Sequence, residues 1–113
     1  MNEITENMQM LSFNIILHAG NARSNAMEAI KLAKEFKFDE ARNKISEADN
    51  EFTEAHHIQT ELLQDEAEGK QHEVNVILVH AQDHLMTAMT VKDLANEMIE
   101  IYERIERLED HSK

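Results

Sequence analysis

Cysteine and proline are absent from this chain, and glycine occurs only twice, at Gly20 and Gly69. Without cysteine there is no disulfide framework and no thiolate metal site, and nothing in the composition points to an oxidising compartment. Without proline, and with aromatics at 4%, sheet and turn-rich architectures lose their usual residues, while helix formers lose their commonest interruption. No apolar run approaches the ~20 residues that span a bilayer. The start, Met1-Asn2-Glu3-Ile4, lacks the basic segment of a signal peptide, so a cytoplasmic protein without membrane insertion is expected. Basic side chains are also scarce: 11 Lys and Arg face 23 Asp and Glu, a formal charge of −12. That balance argues against nucleic acid, whose phosphates demand clustered cations.

What remains is rich in Ala, Leu, Ile, Met, Glu and Lys, all helix formers, and predicts an all-α protein. At 113 residues the chain fits one module spanning 1–113. Charge is uneven along it. Residues 20–44 hold six basic side chains, whereas Glu47 to Gly69 hold eight acidic ones and no Lys or Arg, a pattern that fits a solvated helix face or a surface for a basic partner.

Apolar residues recur at helical spacing from Ile4 through Met8, Leu11 and Ile15, then through Ala22, Ala26, Ala29 and Ala33 to Phe36. Gly20 interrupts this first helix and marks a bend or a close helix approach. A second helix follows Ala41, Ile45, Ala48, Phe52, Ala55 and Leu62, with Asp39 as its expected N-cap and Gly69 as its terminator. The third, about 73–109, shows Ile77, Val91, Leu94, Met98, Ile101, Ile105 and Leu108 on a heptad-like seam, expected to be its core face. Short connections near Lys37-Phe38 and Gly69-Lys70 predict an antiparallel three-helix bundle. Its apolar residues exceed one stripe per helix. Val76-Ile77-Leu78-Val79 covers a full turn, and Phe13 with Ile15-Ile16-Leu17 nearly does. A helix apolar all round is buried all round, so a homo-oligomer of three-helix subunits is expected.

Into this apolar stretch falls the run His80-Ala81-Gln82-Asp83-His84. Stepping back along the seam by threes and fours puts Thr87, His84 and His80 on the core line, while Asp83 shares the line of Val76, Val79 and Met86. A carboxylate is thus expected in a subunit interface. There it must meet a cation, find donors or give up its charge, and copies converging on a symmetry axis suit a hard ion such as Mg²⁺. A lone histidine on an apolar face is more often a hydrogen-bonded core residue than a reactive one. Four polar side chains in five residues shift that balance toward function. Imidazole is a competent nucleophile towards phosphorus, and its phosphoramidate is labile enough to pass the group on. The spacing H-x-x-D-H also approaches the H-x-x-E-H of inverted zinc peptidases, but no third ligand follows. Glu54-x-x-His57 has half the form of a bundle di-iron site, without a second copy. His56 and His57 read as helix-two residues facing partly inward and partly to solvent, and His18, His72 and His111 belong to no constellation.

Three segments together carry a resemblance. Val79-His80-Ala81-Gln82-Asp83-His84-Leu85-Met86-Thr87, Gly20-x-Ala22-Arg23-Ser24 and Glu54-Ala55-His56-x-x-Gln59-Thr60 are similar to motifs of the lactose/cellobiose family of enzyme IIA components, part of the bacterial phosphoenolpyruvate-dependent sugar phosphotransferase system. The likeness runs over essentially the whole chain. It implies a homotrimer, a nine-helix bundle, in which His80 accepts a phosphoryl group as a tele-phosphohistidine. The donor it implies is the phosphorylated histidine-containing phosphocarrier protein. The acceptor is a cysteine of the cognate enzyme IIB, which works with the membrane enzyme IIC. By the same likeness Asp83 of three subunits meets a Mg²⁺ or similar divalent ion on the threefold axis, and Gln82 and His84 support the site. Arg23 and His56 receive no chemical role from the motif match. A cellobiose or chitobiose system is favoured over a lactose one. The competing reading is a structural or regulatory oligomer whose polar run only sets subunit register.

Overall fold

The structure is a computed structural model, and it describes residues 3–70 and 73–112. His72 therefore lies outside the described residues. Three helices, α1 (Glu3–Lys34), α2 (Phe38–Ala67) and α3 (Val76–Ser112), form a rod of 67 × 23 × 19 Å. The all-α antiparallel bundle is as expected, and among the described residues there is no strand. α2 runs opposite to the other two: His18 of α1 meets Glu51 of α2, while Gly20 of α1 lies beside His84 of α3. None of the helices, over the described residues, is long and apolar enough to cross a membrane.

Helix ends follow local chemistry. α2 stops in a Schellman motif, with the Lys70 N–H donating to the Asp65 carbonyl at 2.8 Å and the Gly69 N–H to Glu66 at 3.0 Å. Gly69 takes φ +86° there, the left-handed conformation that glycine adopts without a Cβ penalty. α1 ends in the same hydrogen-bond pattern, Lys37 to Leu32 and Phe36 to Ala33. Its left-handed residue is Phe36, at φ 61°, a position that disfavours any side chain. The Phe36 ring stacks on Phe38 with centroids 6.0 Å apart. Asp39 is not the N-cap of α2. Lys37 occupies that position without a side-chain hydrogen bond, and Asp39 sits in the first turn, where its charge still complements the helix dipole.

The core is built largely of alanine. α1 buries Ala19, Ala22, Ala26, Ala29 and Ala33 beside Met8 and Ile15, and α3 answers with Ala81, Ala88, Ala95, Leu85 and Ile99. Small residues on both sides let the two helix backbones approach closely. In α2 the six buried residues are the six of the sequence pattern. α3 differs from expectation. Its heptad seam is not the intrachain core: Leu94, Ile101 and Leu108 lie exposed, Leu108 at 69%, and the buried stripe runs instead through Ala81, Leu85, Ala88, Ala95 and Ile99. Val76 and Val79 are exposed at 84% and 56%.

α1 is the middle element, packing well against both neighbours, while α2 and α3 touch sparingly. Polar clasps bridge them: Gln59 to Gln82, Lys92 to Asp49 at 3.0 Å, and Arg42 to Glu103. The α1–α2 seam carries Lys44 to Glu28 at 3.1 Å and His18 Nδ1 to Glu51 at 2.6 Å. The Ser12 hydroxyl is fully buried with no hydrogen-bond partner among the described residues.

Candidate functional site

α3 begins one turn before the polar run, and Asn75 starts it. The Asn75 side-chain oxygen accepts from the Leu78 N–H at 2.8 Å, and its carbonyl accepts from Val79 at 3.1 Å. This is an N-cap in form, three residues later than the start expected near Glu73. The signal was present, an asparagine directly before an apolar run.

From that fixed start the helical rotation distributes the five residues. Ala81 is buried and faces α1. Gln82, about 200° round from His80 at 100° per residue, turns toward α2, where its Oε1 accepts from Gln59 Nε2. There it borders a groove of about 510 Å³ together with Leu62, Leu63, Leu78 and Val79. Gln82 and His80 therefore do not meet. His80 is exposed and His84 half-buried, and their rings stack nearly parallel, with centroids 5.9 Å apart and planes 8° apart. His80 does not join the core, contrary to the seam assignment. It stands on the solvent side of α3, at the edge nearer α1.

His84 leans on α1 where α1 has least bulk. A Cβ placed on Gly20 would come 3.5 Å from His84 Nε2, so Gly20 marks a close helix approach, one of the two readings of that glycine. Asp83 is exposed on the outward face with Val76, Val79 and Met86, so His80 and Asp83 share the open side of α3 instead of dividing between core and interface. Below them, Thr87 Oγ1 donates to the carbonyls of Asp83 and His84 at 2.9 and 3.2 Å, and Thr90 returns its hydroxyl to Met86. Both threonines spend their donors on the helix backbone, leaving the outer face near Asp83 without a competing hydroxyl donor from them.

The remaining motif residues belong to α1 and α2. His56 and His57 are both exposed, so the solvent-facing part of their expected placement holds for both, and they line a groove between α2 and α3 with Phe52, Met89 and Lys92. Arg23 is an exposed residue of α1. Gln59 stood out in the sequence only as a motif residue, and the fold shows that it holds Gln82. Residues 76–91 contain no lysine or arginine, and the first cation of α3, Lys92, is engaged by Asp49 and Asp93. The hydrogen bond to Asp49, first among the causes, holds the Lys92 ammonium above the ordinary lysine range.

Chemically, the arrangement offers an accessible imidazole, a second imidazole stacked on it, apolar surroundings and no cation of its own in the same stretch of helix. Such a residue can take and give up a small electrophile when a partner protein supplies positive charge and orientation.

Comparison with known proteins agrees with this geometry. The family model "PTS system, Lactose/Cellobiose specific IIA subunit" matches residues 10–103. The lichenan-specific phosphotransferase enzyme IIA component of Bacillus subtilis is 56% identical over 102 residues, covering 90% of this chain and 93% of that one. Among solved structures, the cellobiose-specific enzyme IIA of Bacillus anthracis superposes with a TM-score of 0.86 at 48% identity, over 95% of this chain and 94% of the other. A IIA(Chitobiose)–HPr complex of Escherichia coli gives 0.76 at 35% identity, over 94% and 99%. A three-helix bundle with an open-faced histidine on α3, matched along nearly its whole length, thus belongs to the lactose/cellobiose-specific IIA family and is a phosphotransferase-system component.

Proposed function

We propose that the chain, acting as one module, is a phosphoryl carrier that accepts phosphate on His80 from the phosphorylated histidine-containing phosphocarrier and hands it to a cysteine of its enzyme IIB. The observation that carries this reading is the exposure of His80 at the head of α3, beside a stacked imidazole and in a stretch of helix, residues 76–91, that holds no lysine or arginine. In the forward step a nitrogen of His80, expected to be Nε2, bonds to phosphorus as the N–P bond of the donor breaks. In the second step the IIB thiolate sulfur takes the phosphoryl group and His80 recovers its free nitrogen. A carrier of this kind needs a positioned nucleophile and two successive docking events, and the partners bring most of the charge stabilisation. The HPr complex of the chitobiose relative supports that class of donor. The lichenan- and cellobiose-specific relatives favour a disaccharide system of cellobiose type, operating on the cytoplasmic side beside a membrane IIC.

Assembly follows from the second apolar face. Leu94, Met98, Ile101 and Leu108 lie exposed on the 3.5-residue repeat that coiled coils use to meet a like helix. We infer that three copies pair these seams in a homotrimer. Asp83, exposed on the outward face beside that seam, would then lie near the axis. Among the described residues no three His, Cys, Asp or Glu side chains of one chain converge on a metal position, so one chain alone does not make a site. Three exposed carboxylates, one from each copy, have the oxygen donors a hard cation takes. Mg²⁺ or a similar ion bound there would neutralise that charge. Within the chain, Gln82 serves as a clasp to α2 and His84 as the support of the His80 ring.

The test is to incubate the chain with phosphoenolpyruvate and the two general phosphotransferase proteins. An acid-labile phosphate on the wild-type chain and none on His80→Ala is the expected result. Labelling of the His80→Ala chain to the wild-type extent would refute the site.

A further inference from the structure

Gly20 sits in the middle of α1, where a helix gains stability from almost any other residue. The backbone there does not require glycine, since Gly69 is the one glycine of positive φ. Its surroundings show a different reason. The only neighbour within 4 Å of a Cβ built at position 20, apart from α1 itself, is His84 Nε2 at 3.5 Å. That ring lies 5.9 Å from the ring of His80 and nearly parallel to it. A methyl group would meet the ring nitrogen at ordinary van der Waals distance; a branched side chain would occupy the place of the ring.

We propose that Gly20 is a positioning residue for phosphoryl transfer, leaving on α1 the vacant space that seats His84 Nε2 and, through the ring stack, fixes the orientation of His80. The proposal rests on His80 being the phosphoryl acceptor. It assigns to the α1 motif Gly20-x-Ala22-Arg23-Ser24 a purpose that no side chain in it supplies: a place for a ring from another helix. The reacting imidazole then has one wall of defined position, and orientation within a fraction of an ångström decides transfer rates between docked proteins.

Two substitutions separate positioning from stability. Gly20→Ala, whose methyl fits beside the ring, should raise the melting temperature by about 4 °C and leave phosphoryl uptake near the wild-type rate, whereas Gly20→Val should slow uptake by about thirtyfold with helical content retained. A structural residue would move activity and stability in the same direction. The coupling is read in a second way without turnover, from the ring resonances of His80 in nitrogen-15 NMR. Gly20→Val should shift them in the wild-type background and leave them in place in a His84→Ala background, because the effect travels through His84. Wild-type uptake rates in Gly20→Val, or equal His80 shifts in both backgrounds, would overturn the proposal. If the unsubstituted chain carried its phosphate on another residue, the acceptor reading itself would fail, an outcome the same labelling experiment shows separately.

Discussion

The two halves of α3 present different outward faces. From Val76 to Thr90 that face carries His80, Asp83, Thr87 and Thr90 among scattered apolar residues, whereas from Leu94 to Leu108 it carries Leu94, Met98, Ile101 and Leu108. Both halves bury the same kind of stripe against α1, Ala81 to Ala88 in one and Ala95 to Ile99 in the other. The difference therefore has little to do with folding of the single chain. On the proposed function it separates two tasks along one rod: the second half would supply most of the apolar surface for association, and the first, with Asp83 turned toward the axis, would keep His80 where partner proteins reach it.

The sharpest way to break this division is to place a charge on the association half. Ile101→Asp should leave the helical content of the subunit intact, since Ile101 is 53% exposed in the single chain. An aspartate buried in the subunit seam without a partner costs several kcal/mol per copy. Sedimentation should show trimers giving way to single subunits at micromolar concentration; trimers of unchanged stability would place the interface elsewhere. A smaller effect is expected in the polar half. Asp83→Asn should remove any stabilisation by Mg²⁺: the wild-type melting temperature should rise on adding the ion and fall with chelator, and the variant should respond to neither. A variant that responds as the wild type does would remove Asp83 from the metal site.

The mildest prediction concerns the seam between α2 and α3 that both halves share. Lys92 has its proton held by Asp49 and then Asp93, and its pKa is raised. A group with a raised folded-state value stabilises fully below the ordinary lysine range, and that contribution disappears as pH climbs through the raised value. Lys92→Met should therefore cost at most about 1 kcal/mol at neutral pH and flatten the decline of stability above about pH 10. An unchanged alkaline profile would show that the pair contributes nothing to the seam.

Much of this architecture was legible from residue order, and the failures have a physical cause. α2 has one apolar stripe, so its period identified Ala41, Ile45, Ala48, Phe52, Ala55 and Leu62 as buried, and all six are. α3 has two stripes. The larger residues, Leu94, Ile101 and Leu108, dominate a search by hydrophobicity, but close approach of α1 and α3 selects the smaller Ala81, Ala88 and Ala95 for the inside. Periodicity weighs apolar size, and helix contact at short range rewards its absence. The same inversion misplaced His80 on a core line. The reactive run itself stood out because four polar side chains interrupt an apolar stretch, and Gly20 stood out as a mid-helix glycine. The Gln59–Gln82 clasp joins residues 23 positions apart and left no local pattern to read. Asp39 was attractive as a cap by residue type, yet the left-handed Phe36 lets α2 start two residues sooner.

The central claim is that the exposed imidazole of His80, and no other of the seven histidines, carries the phosphoryl group. Phosphorus–proton correlation NMR on the chain phosphorylated by its phosphocarrier tests it most directly. The account predicts one phosphoramidate, bonded to Nε2 of His80 and absent from His80→Ala. A phosphorus signal correlated with the ring of His84, His56 or any other histidine in the wild-type chain would contradict it.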